Sequence, residues 1–153
     1  MAVEIERKFL VVGDGWRALG KPVVYRQGYL LAEKHRVVRV RVAGDRAYLT
    51  FKGATEGISR HEFEYPVPLE DAEVLLEWCD RPLIEKTRTA IAVGDLTWEV
   101  DEFTGDNAGL VLAEVELPAA DYIFDRPDWI GQEVSDDPRY FNANLIRHPY
   151  SQW

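Results

Sequence analysis

Residues 2–11, AVEIERKFLV, alternate in character. Val3, Ile5, Phe9 and Val11 fall on one side of an extended chain, interrupted by Arg7, while Glu4, Glu6 and Lys8 fall on the other. The same period of two recurs over roughly 23–32, 36–43, 46–53, 59–67, 84–93, 96–103 and 110–117, so that with 2–12 the pattern predicts eight strands. Turn-forming runs such as AGDR (43–46), KGATEG (52–57), VGD (93–95) and TGDNAG (104–109) separate many of them. Residues 69–79 switch to a helical spacing, with Leu69, Ala72, Leu75, Leu76 and Cys79 on one face and Glu70, Glu73 and Glu77 on another. Pro118 predicts a second short helix over 118–125, and Pro138 opens a predicted C-terminal helix over 137–148. The expected fold is mostly β, formally α+β, in one domain covering 1–153.

The polar sides of these strands carry a charge code. Arg39 and Arg41 share a side, as do Lys86 and Arg88, and Lys52 sits with Tyr48 and Thr50. Glu62 pairs with Glu64, Glu99 with Asp101, and Glu114 with Glu116. Taken singly, each such side reads most simply as a solvated outer surface over an apolar interior. Solvated faces usually mix their signs, however, and like charges two residues apart on one face repel. Whole strands of one sign point instead to a closed antiparallel barrel with a charged lumen. Its apolar faces then turn outward, covered by the helix at 69–79, the C-terminal helix and the loops.

Composition narrows the use of such a lumen. The 153 residues are 46% hydrophobic and 29% charged, as in ordinary globular chains. A net charge of −9, from 18 Lys and Arg against 27 Asp and Glu, argues against general nucleic-acid binding. The sequence has no apolar run of the ~20 residues a membrane span needs, and one cysteine, Cys79, fits a reducing, cytoplasmic setting. The lumen candidates are the acids Glu4, Glu6, Glu62, Glu64, Glu99, Asp101, Glu114 and Glu116, and the bases Lys8, Arg39, Arg41, Lys52, Lys86 and Arg88. Hard divalent cations held by the carboxylates, together with a polyphosphate held by the bases, satisfy both sets.

The segments that carry this code also resemble a known family. EIERK (4–8) matches the E-x-E-x-K signature of the CYTH family, the triphosphate tunnel metalloenzymes. RQGYL (26–30), VRVR (38–41), LTFKG (49–53), SRHEFEYPV (59–67), EKTR (85–88), WEVDEF (98–103), AEVEL (113–117) and GQEVSDDPRYFNANL (131–145) continue the resemblance in order. It implies an eight-stranded antiparallel tunnel binding a triphosphate with Mg²⁺ or Mn²⁺. Glu4, Glu6, Glu114, Glu116 and Asp101 correspond to metal ligands or tunnel acids. Lys8, Arg39, Arg41, Lys52, Lys86 and Arg88 correspond to the grip on the phosphate chain, with Arg26 in an adjoining motif. The catalytic group is expected among Lys8, Tyr29, Glu62, Glu64 and Lys86.

Within the resemblance, the short chain without a sheltering insertion is most similar to compact bacterial members acting on inorganic tripolyphosphate. Thiamine triphosphatase, class IV-type adenylate cyclase and a non-catalytic polyphosphate or nucleotide-binding module are the alternatives. The outward apolar strands leave room for a homodimer. GWRALGKP (15–22) nearly spells a phosphate-binding loop, but Pro22 replaces the hydroxyl residue and a strand follows it. No Cys/His cluster has zinc spacing.

Overall fold

The computed structural model describes residues 3–153; residue 2 of the first predicted strand lies outside the described residues. Eight strands form where the alternation places them: β1 (Val3–Val11), β2 (Pro22–Ala32), β3 (Arg36–Ala43), β4 (Arg46–Gly53), β5 (Ser59–Val67), β6 (Ile84–Val93), β7 (Leu96–Phe103) and β8 (Val111–Glu116). Neighbours run antiparallel in the order β5-β4-β3-β2-β6-β7-β8-β1, and β5 pairs with β1 to close the barrel. Two of the hairpins turn on a glycine. Ala43 pairs with Arg46 across Gly44, and Val93 with Leu96 across Gly94. Both glycines adopt positive φ, 62° and 61°, which lets a two-residue turn follow the strand twist.

A ninth strand, β9 (Ile130–Glu133), escaped the sequence reading. Its origin lies in β1, which pairs with β5 only through Val3–Ile5. The far half of the same edge is left open, and β9 fills it through Phe9–Glu133 and Val11–Ile130. The Arg7 that interrupts the apolar side of β1 finds Glu133 there, at 3.0 Å.

The apolar sides do turn outward. Phe9, Trp98, Val100 and Val115 pack under Trp16 and Trp129, with the largest of them fully buried. Each such side chain contributes roughly 1.5–3 kcal/mol by leaving water. Helix α1 (Leu69–Glu77) lays Ala72 and Leu76 on Val40, Val42 and Ala47 of β3 and β4. The helix predicted over 118–125 is absent: 122–127 carry no regular structure, and Phe124 packs on Phe9 and Trp98 at centroid distances of 6.5 and 5.8 Å. Alternate aromatics, Tyr122 and Phe124, anchor this stretch to the barrel, which suits an extended chain better than a helix.

The C-terminal helix also departs from expectation. A 3₁₀ turn at Pro138–Tyr140 and an extended Phe141 precede a short α2 (Asn142–Arg147). These elements do not lie on the outer wall. The inward-facing rows of β1, β6, β7 and β8 end in Leu10, Ile84, Phe103 and Leu112, and Val134, Tyr140 and Leu145 pack on that apolar ring. The bore is therefore capped at this end. The outer side of β4 and β5 leaves Phe51, Phe63 and Tyr65 exposed. Among the described residues no helix is long and apolar enough to cross a membrane.

Candidate functional site

Strand alternation and barrel closure bring the charged rows onto one inner surface. In register, Glu6 faces Glu116 and Lys8 faces Glu114 across β1 and β8. Arg88 faces Asp101, Thr50 faces Glu64, and Lys52 faces Glu62. Cross-strand neighbours on one face lie about 4.5–5.5 Å apart at Cβ, so these pairs interact. Lys8, Arg39, Lys86, Arg88, Asp101 and Glu114 are all buried.

Most of the bases are held by acids. Lys8 Nζ lies 3.3 Å from Glu114 Oε1, and donates to the carbonyl of Tyr140 in the end cap. Lys52 Nζ lies 3.3 Å from Glu4 and 3.0 Å from Glu62. Arg88 grips Asp101 with two hydrogen bonds of 2.7 and 2.8 Å and reaches Glu99 at 3.1 Å. Lys86 Nζ approaches Asp101 Oδ2 at 2.8 Å and donates to Asn142 Oδ1. Arg39 contacts Thr50 and Glu64, and its Nε is buried without a partner. Arg41 differs. Its Nε donates to Gln27 Oε1 at 2.9 Å, and among the described residues no carboxylate comes within ion-pair distance of it. Burial first, then the charges of Arg39 and Arg88, pull it down to about 10.

The acids divide by environment. Burial and a hydrogen bond shared with Glu62 push Glu4 up to about 7. Burial, with Glu114 and Glu4 nearby, raises Glu6 well above the usual carboxylate range. Burial also raises Glu116, assisted by Glu62 and Glu99. Burial works the same way on Glu62, but the Glu4 hydrogen bond and the Lys52 and Arg39 charges outweigh it and bring Glu62 to about 2. Glu62 Oε2 is buried, with Lys52 Nζ 3.0 Å away. Glu114, buried beside Lys8, Arg88 and Lys86, is held well below the usual range.

Two expected assignments change. Arg26 is not in the bore: it falls between inward-facing Tyr25 and Gln27, so its side chain turns out and pairs with Glu73 of α1. Asp101 stands apart from the other carboxylates, because Arg88 and Lys86 occupy both its oxygens. Burial raises its pKa, and those two cations more than reverse the effect. Tyr29 does face inward, 4% exposed, and its hydroxyl accepts from Gln27. Gln27, Thr50, Tyr25 and Asn142 also belong to the site, although no charge marked them in the sequence. For the first three, the signal was available in their parity with Tyr29, Lys52 and Gln27.

The profile of the CYTH domain matches residues 2–150. The chain is 52% identical over 154 residues to an inorganic triphosphatase of Acetivibrio thermocellus, covering 100% of this chain and 99% of that one. It is 36% identical over 146 residues to an inorganic triphosphatase of Nitrosomonas europaea, covering 93% and 95% of the two chains. A crystal structure of an inorganic triphosphatase superposes with a TM-score of 0.66 at 34% identity, over 95% of each chain. A charged bore inside an eight-stranded antiparallel barrel, filled by the rows that begin with EIERK, and a match along nearly its whole length place this chain in the CYTH family.

Proposed function

We propose that the protein hydrolyses inorganic tripolyphosphate to pyrophosphate and phosphate inside the bore, with a divalent cation, Mg²⁺ or Mn²⁺, as cofactor. The observation that carries this reading is Arg41, a half-buried guanidinium beside Arg39 and Arg88 with no carboxylate of its own among the described residues. A partly desolvated charge without a counter-charge is costly, and a polyanion threaded past it removes the cost. The two relatives at 52% and 36% identity, both inorganic triphosphatases, support the choice of substrate.

The acidic side fits a hard cation. Among the described residues no three carboxylates are already gathered as a cage, since Glu4 and Glu114 are drawn to lysine and arginine. The donor chemistry nevertheless suits Mg²⁺ or Mn²⁺: Glu4, Glu6, Glu114 and Glu116 are oxygen donors on two adjacent strands, and three of them are raised by crowding and burial. A bound cation supplies charge neutralisation on the phosphoryl oxygens and lowers the pKa of nearby water.

The chain's own residues do the rest. Arg39, Arg41, Lys52 and Arg88 bind and align the phosphate chain, offsetting charge on the departing pyrophosphate. Lys8 and Lys86 reach from the capped end; burial, with Arg88 and Arg41 nearby, brings Lys86 down to about 7, against the pull of Asp101. Lys86, sealed against Asp101 and Asn142, acts from behind the bore wall as an electrostatic support for the phosphate chain. Glu62, ionised at about 2, and its neighbour Glu64 accept a hydrogen bond from the attacking water. Tyr29 lines the inner end of the same wall. We place this activity in the cytoplasm, where the free thiol of buried Cys79 is at home.

The test is a cation-supplemented phosphate-release panel across tripolyphosphate, ATP, thiamine triphosphate and longer polyphosphates. Tripolyphosphate is expected to exceed ATP and thiamine triphosphate. Preference for thiamine triphosphate, cyclic AMP as the main product from ATP, or tight binding without cleavage would each replace the reading.

A further inference from the structure

β2 brings no charge into the bore. Its inward residues, Tyr25, Gln27 and Tyr29, lie between the basic pair of β3 and the basic pair of β6. Tyr25 stands opposite Ala43 on one side and Lys86 on the other, which makes Arg41 and Arg88 its diagonal neighbours. The centre of its ring lies 5.1 Å from Arg41 Cζ and 5.0 Å from Arg88 Cζ. One aromatic ring thus touches two guanidiniums, and cations within about 6 Å of a ring face are attracted to it.

The two guanidiniums are not equally secured. Arg88 is fixed by both oxygens of Asp101. Arg41 has only the Gln27 amide, which is fully buried and is itself tied to Tyr29 Oη and Asn142 Oδ1. Arg39 and Arg88 repel Arg41, and the attraction of Asp101 is the smaller influence. Left loose, the Arg41 side chain would swing away from those two cations and be lost to an incoming anion.

We propose that Tyr25 and Gln27 are positioning residues for the substrate, bracing Arg41 so that its terminal nitrogens stay turned to the phosphate chain. The Tyr25 ring attracts both guanidiniums and so holds Arg41 near Arg88 against their mutual repulsion, and the Gln27 amide pins Nε. This rests on the reading that Arg41 grips the triphosphate. It adds that affinity depends on an uncharged aromatic wall as well as on the cations themselves.

Tyr25→Leu, Tyr25→Phe, Arg41→Ala and the Tyr25→Leu/Arg41→Ala double variant test it, with steady-state kinetics on tripolyphosphate and calorimetric Kd for tripolyphosphate measured in parallel. Tyr25→Leu is expected to raise KM and Kd about tenfold with kcat held within about threefold. Tyr25→Phe keeps the ring and should stay within about twofold of wild type. The double variant should be no weaker than Arg41→Ala alone, since the brace acts only through that residue. Unchanged KM in Tyr25→Leu, an equal loss in Tyr25→Phe, or additive losses in the double variant would overturn the proposal. Should Tyr25→Leu fail to fold by circular dichroism, Gln27→Met carries the same KM and Kd expectation. A wild-type chain that binds tripolyphosphate without cleaving it sinks the hydrolytic reading alone, and the Kd ratio of Tyr25→Leu to wild type still decides the brace.

Discussion

Glu6 and Glu116 stand directly opposite each other across the β1–β8 ladder, two carboxylates where opposite charges would be the stable choice. Glu4, two residues along the same inner row, adds a third acid, and the nearest bases are shared with Glu62 and Glu114. The acidic corner is therefore short of positive charge, whereas the wall around Arg41 is short of negative charge. A cation and an anion bound side by side relieve both.

The metal-free protein should lose stability as pH rises from 5 to 7. Glu4 holds its proton more tightly in the folded chain, at about 7, than at its ordinary 4.5. Its contribution is fully present below 4.5 and disappears as pH climbs through 7. Glu6 and Glu116 act in the same direction, Glu62, at about 2, matters only in more acidic solution, and Lys86, at about 7, works the opposite way only above pH 7. The loss should amount to about 2–3 kcal/mol, read from urea unfolding in the presence of a chelator. Added Mg²⁺ or Mn²⁺ should restore it. A flat profile between pH 5 and 7 would count against the crowding of these acids.

Glu6→Gln keeps the shape of the side chain and removes its charge. Cation-dependent phosphate release from tripolyphosphate should fall about 100-fold, with a weaker calorimetric signal for Mn²⁺. Retention of both would show that Glu6 is not a cation ligand.

Asp101→Asn should destabilise the fold by about 3 kcal/mol, because Lys86 and Arg88 would remain buried with much of their counter-charge gone. Both Lys86 and Asp101 have side chains only 1% exposed, so water cannot step in. A shift in the urea midpoint worth less than about 1 kcal/mol would mean that Glu99 and Glu114 suffice to balance them.

Arg26→Ala should leave tripolyphosphate turnover within about twofold of wild type and change stability by less than about 1 kcal/mol. Its partner Glu73 is on the outside of the barrel, and both side chains are more than a third exposed. A large loss of turnover would place Arg26 in the substrate's path after all.

Eight strand positions and fourteen charged lumen residues were legible because the period of two is a local property. Any residue's face follows from its neighbours, and a run such as Arg39–Arg41 or Glu114–Glu116 declares its sign without knowledge of the fold. Arg26 was misplaced for want of the same rule: it adjoins the inward Tyr25 and Gln27 and so must point away. β9 and the extended stretch around Phe124 were not legible. Each is placed by what it covers, the open half-edge of β1 and the otherwise uncovered surface of Phe9 and Trp98, and the only local sign was the alternation of Tyr122 and Phe124.

The sequence by itself determined that the barrel is charged within and apolar without, since alternation assigns every side chain to one of two faces. Tertiary structure alone decided which charges cancel and which stay unmatched. Strand register set Arg88 on Asp101 and Lys52 on Glu62 and left Arg41 to a glutamine and a tyrosine ring, and barrel closure brought Glu4 to Lys52. It also turned the C-terminal segment into an end cap, with Tyr140 and Asn142 reaching Lys8 and Lys86. The reason is physical: pairing energies depend on distances between strands far apart in the chain, and strand register and closure fix those distances.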